Sequence, residues 1–364
     1  MTDPAVLPNR VRPDGVRLAR SLRPVRVGSF SRIVSVRALT AIAVVLLATL
    51  AVFVLALGLG RFTVAPLGVV NALLGNAEGM TAVVVLEWRL ARAVAAVVFG
   101  AALGAAGAIF QSLTRNPLGS PDVIGFSTGS YTGALVAIIF LGGGFAQTAT
   151  GAIVGGMITA TLVYLVARGS GSGTFGIIIV GIALTAVLSS LNTWMMLVAR
   201  LDVALSAAFW GMGSLNGVQW ERLTPAALAL IVPFTVTLLL WRRMVILEMG
   251  DDIARSLGVR PERTRLTLIL AGVLLTAIVT AVAGPIAFVA LAAPQIARRL
   301  TGTPGVDPVS AAVTGGLLLA SADILALHAF GGELILPVGV VTVSLGGCYL
   351  VWLLVREARK GRRV

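Results

Sequence analysis

The chain has 364 residues, of which 57% are apolar and only 12% are charged, yet its formal net charge is +13. Soluble proteins carry about 25% charged residues, and disordered basic chains are much less apolar. This composition is typical of a protein that crosses a membrane several times. One Cys and one His exclude a disulfide framework, a Cys- or His-rich metal site and an ordinary pairing of a nucleophile with His. We expect no metal, no cofactor and no catalytic residues.

The chain also lacks a phosphate-binding loop for ATP. Its one lysine is Lys360, near the end of the sequence, so the pattern G-x-x-x-x-G-K-[ST] is absent. We therefore expect a subunit that is not an enzyme, and any ATP-driven work has to be done by a partner.

Residues 1–37 form a polar segment with eight arginines. The segment is too long and too rich in arginine for a signal peptide, and the apolar run after it is long enough to span a bilayer. We predict a cytoplasmic arm followed by a membrane anchor. Nucleic-acid binding is the alternative for so basic a segment. Attraction to anionic lipid explains the charge with fewer assumptions, so we expect membrane lipid and no nucleic acid as a partner.

Stretches without charge predict the transmembrane helices, because a span needs about 20 apolar residues. Residues 123–167 carry no charge but contain Gly142-Gly143-Gly144, which predicts two helices and a tight turn. Thr224-Pro225 and Asp307-Pro308 each place a capping residue before a proline, which is typical of a helix start. The other predicted spans are 38–60, 93–114, 175–199, 223–241, 308–327 and 334–355.

Residues 266–297 contain Gly284-Pro285 and could form one kinked helix or two short ones. Arg and Lys accumulate in short cytoplasmic loops. Two helices place 23 of the 28 basic residues on the cytoplasmic side, whereas one helix would place only 16 there. We therefore predict an all-α membrane protein with ten transmembrane helices in residues 38–355, both termini in the cytoplasm, and a basic tail at 356–364.

Two arginines precede the second predicted span, at its outer mouth. Arg89 and Arg92 follow Glu87-Trp88 and are three residues apart, so they share one helix face. They could bind a carboxylate of an external protein. The alternative is that both side chains only extend from a helix end to the membrane surface. The residue types alone favour neither interpretation.

The inner end of the same span is followed by helix-breaking residues. Asn116-Pro117-Leu118 ends the helix, and Ser120-Pro121-Asp122 has the order of a cap, a first-turn proline and an acid that starts the next helix. Unwound backbone at the membrane edge is tolerated only where protein or a water-filled cavity covers it. This corner is therefore a candidate gate, although a plain tight turn is the more ordinary interpretation.

Small residues four apart predict close helix packing. The glycine pairs and series with this spacing are Gly100 and Gly104, Gly125, Gly129 and Gly133, and Gly151 and Gly155.

Asp323 is the one acid well within a predicted span, which makes it a functional candidate. Because it lies beside Ser321 and close to His328, a hydrogen-bonded structural role is the stronger expectation.

The only long polar segment between spans is residues 242–265. Asp251 and Asp252 can cap a short helix that runs to Ser256 and stops at Gly258, and Pro261 can open a second short helix. Two short amphipathic helices on the cytoplasmic face would suit the docking of an ATPase. The alternative is a solvated loop with balanced charges.

Taken together, these segments resemble the permease subunits of bacterial type II ABC importers for ferric siderophores, haem and cobalamin, and most closely those of the ferric-enterobactin type. The resemblance runs from about Leu67 to Lys360. Its carriers are Glu87–Leu90, Gly100–Gly104, Arg115–Gly125, Trp210, Gly213–Gly217, Leu247–Asp252, Leu257–Val259, Ala283–Pro285, Ala297–Arg299 and Leu336–Thr342.

The resemblance implies a multi-pass subunit of the bacterial cytoplasmic (inner) membrane that moves a ferric siderophore inward by alternating access. Haem or cobalamin is the alternative substrate, and an ion-coupled secondary transporter is the alternative of another class. The implied partners are a second, homologous permease, which makes a heterodimer, together with two ATPase subunits and an extracytoplasmic siderophore-binding protein.

The resemblance also implies roles for particular residues. Arg89 and Arg92 match arginines that meet glutamates of the binding protein, and Asn116, Pro117 and Leu118 match the inner gate. Gln295 stands where many members have His, and we expect no mechanistic role for it. The coupling segment that inserts into the ATPase corresponds to Gly250, Asp251, Asp252, Ala254, Leu257 and Gly258.

Overall fold

Within the described part of the chain, the fold is a helical bundle, as predicted, preceded by a two-stranded ribbon that was not predicted. β1 (Leu22–Val27) pairs antiparallel with β2 (Phe30–Ser35), and Val27 lies opposite Phe30. The ribbon belongs to the predicted N-terminal arm. The computed structural model describes residues 22–27, 30–60, 62–169, 173–329 and 335–361.

The helices follow one another along the chain with short connections. A π-helical segment (Val83–Arg89) joins α3 to α4 without a break. The helices are α1 (Val36–Gly58), α2 (Pro66–Leu73), α3 (Met80–Ala82), α4 (Leu90–Thr114), α5 (Phe126–Phe140), α6 (Phe145–Gly169), α7 (Gly173–Val198), α8 (Leu201–Gly211), α9 (Trp220–Glu248), α10 (Asp251–Ser256), α11 (Pro261–Ala283), α12 (Val289–Thr301), α13 (Pro308–His328) and α14 (Val338–Gly361).

Each of the ten predicted spans overlaps one of these helices. In the part of the chain that the structure describes, seven helices are long and apolar enough to cross a membrane on their own. α5 and the apolar part of α14 are shorter. The number of crossings and the side on which each terminus lies stay predictions. The seven long helices are Val36–Gly58, Met80–Thr114, Phe145–Ala167, Gly176–Val198, Trp220–Glu248, Pro261–Ala283 and Pro308–His328.

The ambiguous segment 266–297 is divided into two helices, as predicted. Gly284 follows α11 with φ +71°, a conformation that suits glycine and ends the helix. α12 then begins after Phe288. Asp307 caps α13 as predicted, because its carboxylate accepts hydrogen bonds from the backbone N–H groups of Val309 and Ser310.

Two predicted helix starts were wrong. α9 begins at Trp220, so Thr224-Pro225 lies inside it; the extra turn is held by the Trp220 indole, which donates a hydrogen bond to the Leu86 carbonyl at 2.9 Å. Ser120-Pro121-Asp122 forms a turn and does not cap α5. The helix cannot start there because Gly125 adopts φ +90°, and α5 begins only after it.

The predicted close packing of small residues is confirmed. A Cβ on Gly100 of α4 would lie 2.3 Å from the Gly315 carbonyl oxygen of α13, and one on Gly133 of α5 would lie 2.0 Å from the Gly151 carbonyl oxygen of α6. The backbones therefore touch where a side chain would separate them. α4 and α11 are the most enclosed helices, and α1, α7 and α9 expose most of their surface.

Candidate functional site

The predicted docking arginines and the predicted gate residues lie at the two ends of α4. Arg92 is near its start and Arg115 directly follows its last residue. Since each helical residue adds about 1.5 Å, the two arginines are separated by about 35 Å along the axis, slightly more than the hydrocarbon thickness of a bilayer. We call the Arg92 end the outer mouth and the Arg115 end the inner corner, after the predicted topology.

At the outer mouth, both predicted docking arginines have partners within the chain. Arg89 donates hydrogen bonds to the backbone carbonyls of Leu57 and Gly58 at the end of α1, at 2.9 and 3.2 Å. A guanidinium in this place satisfies carbonyls that the helix leaves free and opposes the negative end of its dipole. Arg89 therefore holds α1 to the start of α4.

Arg92 forms an ion pair with Asp323 of α13. Nε and Nη2 of Arg92 each lie 2.8 Å from a different carboxylate oxygen, and Nη1 contacts the Asn216 side chain. The hydrogen-bonded role expected for Asp323 is confirmed, but its partner is an arginine from another helix. Neither Ser321 nor His328 supplies the bond, and the His328 ring instead contacts the Ile324 carbonyl in its own helix at 2.9 Å.

A cavity of about 510 Å³ opens beside these residues. Arg89 and Arg92 both line it, as their spacing predicted, together with Trp88, Asp323 and His328. The outer mouth thus presents a concave surface with two guanidinium groups on its wall, one of them neutralised by a carboxylate from its own chain.

At the inner corner, the predicted break after α4 is confirmed. Arg115 adopts φ +49°, which ends the helix. The Asn116 side chain then accepts a hydrogen bond from the Leu118 backbone N–H at 2.9 Å, a local turn that asparagine forms readily. Pro117 and Leu118 are exposed, so the segment forms an exposed edge at this end of the bundle.

Below this edge, two buried amides join the corner to α12. Nε2 of Gln295 lies 2.6 Å from Oε1 of Gln111 and 3.3 Å from the Pro117 carbonyl oxygen, and Gln111 donates to the Leu291 carbonyl at 2.9 Å. Asp122 adds a further link, because its carboxylate accepts the backbone N–H of Phe288 at 3.2 Å. The corner and α12 form one hydrogen-bonded unit.

The coupling segment lies beside the inner corner. Gly250 precedes α10 with φ +118°, so the cap position belongs to glycine and the prediction that Asp251 and Asp252 cap the helix was wrong. The two acids occupy the first turn, where they complement the helix dipole. Gly258 follows the helix with φ +78°, as predicted.

The second short helix expected at Pro261 does not exist. Pro261 is the first residue of α11, which continues for 23 residues because the next left-handed glycine after Pro261 is Gly284. The segment therefore has one short helix, α10, held between two long ones.

The coupling segment exposes apolar side chains. Ile253 of α10 and Leu257, which directly follows that helix, are one helical turn apart and 45% and 58% exposed, and we call them the apolar stripe. Met249 is 60% exposed but lies before the break at Gly250, and Ala254 is fully buried. Among the described residues, Asp252 pairs only with Arg255 of the same helix, at 3.1 Å. A helix with such a stripe can place it in a groove of a partner.

Sequence reasoning did not assign roles to several residues that the structure brings together. Arg115 contacts both α9 and α10 through its side chain, and Gln295, for which no role was expected, lies at the centre of the corner. Polar residues inside otherwise apolar spans are expensive in a membrane. That cost is the signal that could have identified Gln111 and Gln295. Asp122 lies in the turn before α5, where the sequence indicated only a helix start.

Comparisons with known proteins identify the family and the fold of the chain. The FecCD transport family matches residues 33–356. The chain is 51% identical over 301 residues to the ferric enterobactin transport system permease protein FepG of Escherichia coli (strain K12), covering 83% of this chain and 91% of FepG. It is 34% identical over 298 residues to the ferric enterobactin transport system permease protein FepD of the same strain, covering 80% and 88%.

A solved structure shares the fold. It is described as an inward-facing conformation of a metal-chelate type ABC transporter, and it matches 87% of this chain and 99% of its own with a TM-score of 0.75 and 24% identity. The family match covers most of the residues and includes every helix from α1 to α13. The chain belongs to the FecCD transport family.

Proposed function

We propose that this chain is the permease subunit of an ATP-driven importer that carries a ferric siderophore inward across the cytoplasmic membrane of a bacterium. The observation that carries the proposal is the 51% identity to FepG, which extends over 91% of that protein. A permease needs long apolar helices and leaves ATP hydrolysis to a partner, and this chain has such helices and lacks the phosphate-binding loop G-x-x-x-x-G-K-[ST].

Uptake measurements test this function directly. A strain that lacks the subunit should lose uptake of radiolabelled ferric enterobactin and regain it when the gene is restored. Hydroxamate chelates, haem and cobalamin in the same assay distinguish the substrate classes. Uptake that is restored only for haem or cobalamin, or that persists when ATP is depleted and the ion gradients are kept, would contradict the proposal.

We place this subunit in a complex with a second, different permease. FepG and FepD are both named as permeases of one ferric enterobactin transport system in one organism, and this chain is similar to both. Two ATPase subunits complete the complex, since this chain has no phosphate-binding loop. Copurification with one tagged subunit, followed by mass determination of the intact complex, tests the composition.

The outer mouth is the proposed dock for an external siderophore-binding protein. Arg89 and Arg92 line an open cavity, and arginine binds carboxylates through paired hydrogen bonds. Arg92 already holds Asp323, so an external glutamate has to compete with this internal carboxylate. Charge reversal at both arginines should weaken docking, and opposite reversals on the binding protein should restore part of it.

The inner corner is the proposed cytoplasmic gate, with Asn116, Pro117 and Leu118 as its edge. The exposure of Pro117 and Leu118 and the unwound backbone after α4 support this role. The chain has a single cysteine, Cys348. Cys348→Ser therefore allows Leu118→Cys to report the gate by its rate of thiol labelling, which should differ between nucleotide-free and ATP-bound transporters.

The coupling segment is the proposed contact with the ATPase. Gly250 and Gly258 bound α10, Asp251 and Asp252 form its first turn, and Ala254 anchors it in the permease. Leu257 contributes to the exposed apolar stripe. Because a helix of six residues is not stable alone, the position of α10 depends on these contacts. An ATPase that displaces the apolar stripe should therefore move α10 as a unit.

A further inference from the structure

Arg115 stands between the proposed gate and the proposed coupling segment. It directly precedes Asn116, and its backbone is in the left-handed region, with φ +49° and ψ +32°. In the described residues only one other non-glycine residue, Phe288, has a positive φ. The turn after α4 therefore changes direction at Arg115, and the position of this residue sets the position of the gate edge.

The Arg115 side chain reaches across to the coupling segment. Its Nη2 atom lies 2.8 Å from the Leu247 carbonyl oxygen, in the last turn of α9, and 3.5 Å from Oδ1 of Asp251, in the first turn of α10. The Arg115 guanidinium thus contacts both α9 and α10, which meet at Gly250. A positive charge here also opposes the negative end of the α9 dipole.

The junction between α9 and α10 is not packed at Gly250 itself. Gly250 has φ +118°, and nothing lies within 4 Å of the place where a Cβ would be, so the angle between the two helices depends on side chains that reach the junction from elsewhere. α10 has only six residues, and its contact with the long helices depends on Ala254 and on the two arginines that hold Asp251. Arg265 of α11 is the second of these, at 2.9 Å.

We infer that Arg115 is the positioning residue through which displacement of α10 is passed to the gate edge at residues 116–118. The inference rests on the proposed function and names the link between two of its parts. A shift of α10 changes the place of Asp251 relative to the Leu247 carbonyl, and Arg115 cannot keep both contacts unless the turn after α4 moves with it.

The side chains of Arg115 and Asp251 are 43% and 34% exposed, so water screens the ion pair and it adds little to the stability of the fold. Loss of Arg115 should consequently affect the coupling of ATP hydrolysis to transport more than it affects assembly. This difference separates a positioning role from a merely structural one.

The test uses the assembled transporter with its ATPase subunits in proteoliposomes, in the Cys348→Ser background. Arg115→Gln keeps the backbone preference similar and removes the charge. We expect ATP hydrolysis to persist while ferric enterobactin moved per ATP falls about tenfold, the size of an ordinary coupling energy. Labelling of Leu118→Cys by a maleimide, which needs no substrate, should no longer respond to ATP.

Arg200→Gln is the matched control, because it removes one arginine from an exposed pair with Asp202 far from the inner corner. It should behave as wild type. Asp251→Asn tests the same link from the other side, should Arg115→Gln fail to assemble, and we expect it to reduce the ATP-dependent labelling change. A wild-type response to ATP in either variant, or an equal loss in Arg200→Gln, would overturn the inference.

The transport and labelling measurements also distinguish failure of this inference from failure of the proposed function. If the wild-type transporter moved no ferric enterobactin, the proposed substrate would be wrong, while the labelling arm would still show whether Arg115 links ATP binding to the gate. If transport were normal and labelling in Arg115→Gln still followed ATP, the function would stand and the role of Arg115 would be refuted.

Discussion

Arg92 and Asp323 form a bidentate ion pair that joins α4 to α13, with two N–O distances of 2.8 Å. Their side chains are 16% and 4% exposed, so water screens the pair little. Removing one partner of such a pair leaves the other charge unpaired and costs about 3–5 kcal/mol. We expect Asp323→Asn to lower the thermal unfolding midpoint of the purified complex clearly, and Arg92→Gln with Asp323→Asn to cost less than the sum of the single changes.

A control for that stability measurement is Asp202→Asn. Asp202 pairs with Arg200 at 3.3 Å, but the two side chains are 68% and 85% exposed. Exposed pairs contribute little because water and salt screen them. The midpoint of this variant should stay close to that of the wild type. If Asp323→Asn and Asp202→Asn lowered the unfolding midpoint equally, the pair at the outer mouth would contribute no more to stability than an exposed pair does.

Asp323→Asn should also change the affinity for the external binding protein, in the opposite direction to its effect on stability. It releases Arg92 from its internal carboxylate, so the guanidinium is free to meet a glutamate of the partner. We expect the dissociation constant, measured on the transporter in nanodiscs, to fall several-fold and to depend more steeply on salt. Unchanged or weaker binding would remove Arg92 from the proposed dock.

The sequence predicted helices more securely than it predicted contacts. A helix overlaps each of the ten spans that were predicted chiefly from gaps between charges, because the cost of burying charge in a membrane is a local property of each segment. How many of these helices cross the membrane stays a prediction. The partner of Asp323 is 231 residues away, and no local pattern encodes a pair between distant helices. Trp220 shows the same limit, since its bond to Leu86 adds a turn that the Thr224-Pro225 signal does not predict.

Replacing the buried amide at the inner corner should loosen the gate. Gln295→Leu removes the donor to Gln111 and to the Pro117 carbonyl, and each buried group left unpaired costs about 1–3 kcal/mol. We expect a lower unfolding midpoint and faster labelling of Leu118→Cys without nucleotide. Thr276→Val is the control: Thr276 is also buried, but within the described part of the chain its hydroxyl bonds only to its own helix.

Gln295→His should loosen the gate less than Gln295→Leu does, because a ring nitrogen can still donate a hydrogen bond to one of the two acceptors. Labelling of the gate should return towards the wild-type rate. If Thr276→Val accelerated labelling as much as Gln295→Leu did, general loosening of the bundle would explain the result and the amide pair would have no particular connection to the gate.

Close packing of α4 against α12 should tolerate no added methyl group. A Cβ on Gly107 would lie 1.7 Å from the Ala290 carbonyl oxygen, so Gly107→Ala has to push the two backbones apart. We expect a loss of stability of about 1–3 kcal/mol, as in other overpacked cores, and poor assembly in fluorescence size-exclusion chromatography. Gly347→Ala is the matched change, because nothing lies within 4 Å of that position in α14. It should be neutral or stabilising, since alanine favours a helix over glycine.

The exposed stripe of the coupling segment should decide whether the ATPase stays bound. Ile253 and Leu257 are 45% and 58% exposed in the permease, and burying a large apolar side chain contributes about 1.5–3 kcal/mol. Ile253→Asp with Leu257→Asp should therefore abolish copurification of the ATPase, whereas Ile253→Leu, which stays apolar, should preserve it. Both positions face outward, so the permease itself should keep its unfolding midpoint. Retention of the ATPase by the double aspartate variant would show that another surface carries the contact.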